Sequence, residues 1–136
     1  MRQNLIYFLL SLPILIMLGW FYFDKRKIKL RELKRIKLQA QPLPDEYVHI
    51  LQTKFPLYSR LPSDLQRRLT GHMQVFLAEK DIIGRGDFAV TDTVRVLIAA
   101  QACLLILNRP GNYYPGFRSI LVYPETYVAN STHRDG

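Results

Sequence analysis

One cysteine, one tryptophan and three histidines are all that 136 residues supply of the scarcer side chains, and each scarcity excludes something. A lone Cys103 cannot form an internal disulfide; set in an apolar run, it is expected to be a small core residue rather than a reactive thiol. His49, His72 and His133 are far apart, with no H-E-x-x-H and no H-x-H, so no zinc site can be assembled from local motifs. There is no G-x-G-x-x-G or G-x-x-x-x-G-K-[ST] phosphate loop and no G-x-S-x-G elbow, and Ser63 and Ser119 have no visible base beside them. The carboxylates are scattered: Asp45 and Glu46, then Asp64, Glu79, Asp81, Asp87, Asp92 and Glu125. Neither a catalytic residue nor a metal ligand can be named from these patterns.

Acidic residues are also in the minority, 11 against 19 Lys and Arg, for a net charge of +8. The excess is local. Lys25, Arg26, Lys27, Lys29, Arg31, Lys34, Arg35 and Lys37 fall in one run, opposed only by Asp24 and Glu32. Past Lys37 the balance is nearly even, with ten basic against nine acidic residues. A nucleic-acid footprint would spread basic groups over a domain face with exposed aromatics among them, so no nucleic-acid partner is expected.

Residues 3–23, QNLIYFLLSLPILIMLGWFYF, are twenty-one residues without a formal charge. As a helix they would measure about 31 Å, against about 30 Å of bilayer hydrocarbon. Tyr7 at one end and Trp20 and Tyr22 at the other suit the headgroup zones. These features predict an uncleaved transmembrane anchor over 1–24. The eight basic residues after it predict a single-pass protein of the inner (cytoplasmic) membrane, N-terminus out and C-terminal domain in the cytoplasm, with the run setting topology and touching anionic lipid. The expected division is an anchor at 1–24, a basic juxtamembrane segment and proline-containing linker at 25–56, and a folded part at 57–136.

Within that part Leu61, Leu65, Leu69, Met73 and Phe76 recur at helical spacing, predicting an amphipathic helix from Pro62 to about Glu79 with His72 at the boundary of its core face. Residues 90–109, VTDTVRVLIAAQACLLILNR, carry only Arg95 and Gln101 as polar side chains between Val94 and Leu107. Thr91 or Asp92 can cap the start, and Asn108 before Pro110-Gly111 is a stop. Apolar residues all round the cylinder predict a helix buried on every side. A Gly84–Gly86 turn, the short apolar run at 88–90 and a strand at 119–123 closed by Pro124 complete the reading. The fold class expected is α+β, mostly α: a transmembrane helix, then an incomplete domain with two main helices and short strands.

Several of these stretches resemble one family. Leu61-Pro62, the run FLAEK at 76–80, Val90-Thr91-Asp92, the run RVLIAAQAC at 95–103 and ILVYP at 120–124 are similar to the first half of the Mlc titration factor A (MtfA) family, bacterial zinc-dependent peptidases. The likeness covers roughly residues 61–128. It implies a zinc-peptidase-like domain whose metal is held by an H-E-x-x-H helix and a downstream histidine, with the motif glutamate as general base. All of that would lie beyond the I-L-V-Y-P strand, so no ligand or catalytic residue carries over, and no cofactor is expected in this chain although zinc is implied for the full-length family. The expectation is the N-terminal portion of a membrane-anchored peptidase, inactive alone, with the C-terminal half as its missing partner. The alternative is a non-catalytic, membrane-anchored protein that sequesters a cytoplasmic transcriptional regulator, by analogy with the family's pairing with a glucose-system repressor.

Overall fold

A computed structural model describes residues 1–109 and 111–124, with the side chains of Asn4, Leu5, Ile6, Phe8 and Leu9 also outside the description. Glu125 and His133 therefore lie outside the described residues. The chain divides into two units, Met1–Leu38 and Gln39–Gly136.

The first unit is occupied by one helix, α1 (Arg2–Gln39), which ends at the start of the second. It runs through the apolar stretch and the basic run without a break and keeps Pro13 inside it. Among the described residues no helix is long and apolar enough to cross a membrane. This overturns the transmembrane anchor at 1–24 and the single-pass, inner-membrane placement that followed from it. The uncharged stretch 3–23 is only the first part of α1. Past it the same helix takes on eight basic side chains.

The second unit opens with α2 (Asp45–Lys54) and α3 (Pro56–Arg60), and α2 falls in the stretch read as a proline-containing linker. Asp45 and Glu46 in the first turn of α2 and Lys54 in its last complement the helix dipole. Pro56 starts α3, where its missing N–H costs nothing. Leu51 and Tyr58 are buried. Next comes α4 (Ser63–Glu79), entered through Pro62 as the sequence predicts. Gln66 donates from Nε2 to the Tyr58 and Leu61 carbonyl oxygens, at 3.1 and 2.9 Å, joining α4 to the end of α3, where the Tyr58 oxygen also accepts from the Leu61 N–H.

β1 (Asp81–Gly84), α5 (Asp92–Leu105) and β2 (Ser119–Val122) form a crossover unit with the two strands parallel. Thr91 caps α5, its hydroxyl accepting from the Val94 N–H at 3.3 Å. The register pairs Ile82 with Ile120 and Ile83 with Leu121. Residues 88–90 form no strand. They pass so close to β1 that a Cβ on Gly84 would lie 1.9 Å from the Phe88 carbonyl oxygen.

The core gathers Leu51, Leu69, Met73, Phe76, Val96 and Cys103 with Ala99 and Ala100. On α5 the buried residues Val96, Ala99, Ala100 and Cys103 recur at i, i+3, i+4 and i+7, a single stripe. Leu105 stays 77 % exposed, and Leu97, Ile98 and Leu104 are half-buried. The expectation of a helix buried on every side is thus corrected: α4 and α2 cover one side of it, and composition could not show how many neighbours the described chain provides.

Candidate functional site

The second unit carries an open cleft of about 540 Å³ lined by Gln39, Asp64, Arg67, Arg68, Gly71 and His72. Its floor is set by Gly71, where an added Cβ would meet the Gln39 carbonyl oxygen at 3.2 Å. His72, expected at the edge of the core face, is buried to 7 % exposure. The residue that covers it is Tyr113, from the loop between α5 and β2, and their rings lie 5.5 Å apart.

Tyr113 closes a small relay. Gln39 Nε2 donates to the Tyr113 hydroxyl at 2.5 Å, and that hydroxyl lies 2.5 Å from His72 Nδ1. The amide is the donor in the first contact; in the second, the imidazole tautomer sets which of the hydroxyl and Nδ1 gives the proton. Burial disfavours the imidazolium, and the Arg68 guanidinium adds like-charge repulsion, so the His72 pKa falls below its ordinary value of 6.5. Arg68 is held in turn by its bond to the Leu107 carbonyl oxygen at 2.9 Å, past the end of α5.

A second polar anchor lies on the same loop. Lys80, 8 % exposed, donates from Nζ to the Tyr114 and Phe117 carbonyl oxygens at 2.6 and 2.5 Å and sits 4.8 Å from the Phe117 ring centre. Tyr114 takes a left-handed φ of 50° and donates its hydroxyl to the Ala102 carbonyl oxygen at 2.9 Å. The loop is thereby tied to α4 and α5 before it enters β2. These are positioning contacts. Sequence reasoning passed over Tyr113, Tyr114 and Lys80; the one signal was two adjacent tyrosines in a loop of glycine and proline.

Among the described residues no group of three or more His, Cys, Asp or Glu could hold a metal ion. His49 is exposed on α2, and His72 gives Nδ1 to Tyr113. The donors present therefore do not fit a zinc site. Cys103 is fully buried with its thiol pushed up to about 12 by desolvation, so it remains a neutral core group. On α2, Tyr47 donates to Asp92 at 3.3 Å, and its pKa is raised by burial and by that carboxylate.

The residues singled out in the first unit all lie on α1. Tyr7, Trp20 and Tyr22 are 70, 78 and 66 % exposed. Lys25, Arg26, Lys27, Lys29, Arg31, Lys34 and Lys37 are exposed, and Arg35 is half-buried and paired with Glu32 at 2.9 Å. Tyr22, Lys25, Arg26 and Lys29 share a shallow groove with Leu30 and Leu33, and Lys25 Nζ stands 4.5 Å from the Phe21 ring centre. At about 100° per residue the eight basic groups go right round the helix instead of forming one face.

Among the described residues, then, the second unit holds a βαβ crossover packed against helices, with a polar cleft and no group of metal-ligating side chains. The sequence pattern of the glucose-regulated metallo-peptidase M90 family matches residues 28–136. The chain belongs to that family, as an N-terminal portion of the MtfA type. The apolar start of α1 lies outside the match. An uncharacterized protein of Synechocystis sp. is 42 % identical over 101 residues, 74 % of this chain and 37 % of its own length. Mlc titration factor A of Edwardsiella ictaluri is 28 % identical over 99 residues, 73 % of this chain and 38 % of its own. The chain thus spans little more than a third of the curated relatives it matches. No solved structure gives a significant match.

Proposed function

We propose that this chain is the N-terminal portion of an MtfA-like zinc-dependent peptidase, building the scaffold on which a zinc-bearing portion folds and hydrolysing no peptide by itself. The carrying observation is the family match across 28–136 in a sequence without H-E-x-x-H. The structure is consistent with scaffolding, since its buried polar groups, His72, Tyr113 and Lys80, are spent on holding loops and helices together. Zinc belongs to the family's full-length members, and no step of hydrolysis is assigned to residues here.

The experiment is metal analysis of the purified chain with a hydrolysis assay on a casein-derived fluorogenic peptide. The reading expects less than a tenth of a zinc per chain and no hydrolysis sensitive to a chelator. One tightly held zinc with chelator-sensitive cleavage would overturn it.

A second reading is a non-catalytic protein that titrates a regulator. It is favoured by the name of the Edwardsiella ictaluri relative and by a second unit with a hydrophobic core of its own. It requires binding of a transcriptional repressor by this chain alone. If the purified chain does not retain a purified Mlc-type repressor, that reading fails.

A further inference from the structure

We propose that the outer face of the β1–β2 sheet, centred on Ile83 and Leu121, is the docking surface for the C-terminal portion of an MtfA-like chain. This rests on the functional reading above and adds the place where the two portions meet.

Successive strand residues point to opposite faces. Here the inward pair is Ile82, 5 % exposed, with Ile120, which packs against the helical core. The next pair in register, Ile83 with Leu121, points the other way and stays 45 and 43 % exposed. Parallel sheets are covered on both faces, because each crossover helix needs an apolar surface to pack on. Two strands alone make a marginal sheet. This sheet has helices on one side and two side-by-side branched aliphatic residues on the other, with a polar margin where Arg118 meets Asp81 at 3.5 Å. The face is built for a second apolar layer.

The relatives identify the occupant. Some three-fifths of each relative's length lies outside its match to this chain, and β2 is the last element described. A second copy of this chain is the competing occupant, for which a stable dimer would take about 800 Å² from each partner, and the self-association arm of the test below separates it from the C-terminal portion. The occupant has the chemistry of a helix or strand with one apolar side, supplied by the zinc-bearing portion.

The test mixes the 136-residue chain with the part of the Synechocystis sp. relative that follows its match, made as a separate polypeptide. The proposal expects a 1:1 complex in size-exclusion chromatography. Ile83→Lys and Leu121→Lys should each weaken it at least tenfold. Leu57→Lys, at a similarly exposed leucine on α3 (42 %), should leave affinity within twofold. Circular dichroism must match the parent chain for all three. No complex, or one indifferent to Ile83 and Leu121, overturns the proposal. So does self-association of the 136-residue chain that Leu121→Lys abolishes, which would make the occupant a second copy. A complex that forms through this face yet shows no zinc-dependent cleavage keeps the docking surface and sinks the peptidase reading.

Discussion

The Tyr113 hydroxyl lies 2.5 Å from His72 Nδ1 across forty-one residues of sequence, and this contact holds the loop before β2 against α4. Replacing Tyr113 with Phe keeps the ring and removes the shared hydroxyl, stranding the buried His72 Nδ1, while the amide of exposed Gln39 can turn to water. Leaving a buried polar group unsatisfied costs about 1–3 kcal/mol. Urea unfolding of Tyr113→Phe should show a loss in that range with an unchanged m-value. A loss under about 0.3 kcal/mol would mean the contact does not hold in solution, being below the range for an unmet buried group.

The same histidine gives a pH dependence with a definite sign. Its folded pKa is lowered, so below about pH 6.5 the unfolded chain binds a proton that the folded chain resists. Stability is therefore fully present above that pH and falls as the pH drops through it, levelling off once the folded state is protonated too. Denaturant titrations from pH 7.5 to 5 should show this fall in the parent chain and a shallower one in His72→Gln. Equal slopes would count against a buried neutral imidazole.

Gly84 and the Phe88 carbonyl are packed too closely for any side chain, with 1.9 Å between that oxygen and an added Cβ. Gly84→Ala must push the 88–90 segment off β1, and a loss of about 2 kcal/mol or more is expected, as for other overpacked sites. Gly86→Ala, with open space around it but a φ of 65°, should cost only about 1 kcal/mol. Thermal melts of the two variants rank them; the reverse order would contradict the close crossing.

The Cys103 thiol, buried with a pKa near 12, should react with a disulfide reagent at pH 8 at least a hundredfold more slowly in the native chain than in 6 M guanidinium. Comparable rates would show that the buried stripe of α5 is open to solvent.

The basic groups of α1 are offered as a contact for anionic lipid headgroups, with Tyr7, Trp20 and Tyr22 at the surface. Because they encircle the helix, only about half can face a flat surface at once. Binding to vesicles of phosphatidylserine and phosphatidylcholine should weaken at least tenfold between 50 and 300 mM salt. It should weaken at least tenfold again when Lys25, Arg26 and Lys29 become Gln. Salt-independent binding would remove the basic run from any such role.

What could be read in advance was what lies close along the chain. The spacing of Leu65, Leu69, Met73 and Phe76 gave α4 almost to its ends, the capping pair Thr91 or Asp92 placed the start of α5, where Thr91 proves to be the cap, and the run before Pro124 gave β2. What depended on distant partners was not legible. β1 is four residues long and becomes a strand through its register with β2, and α2 is held by its packing on α5. His72 is buried by a tyrosine forty-one residues on. Apolar content alone overstated two helices: α1 as a membrane span, and α5 as covered on all sides.

The measurement that bears most directly on the central claim is the nucleotide sequence of the locus through and beyond the codon for Gly136, read in all three frames. The account predicts an H-E-x-x-H motif downstream, within the length by which the relatives exceed their match to this chain. No such motif in any frame over that length would contradict it.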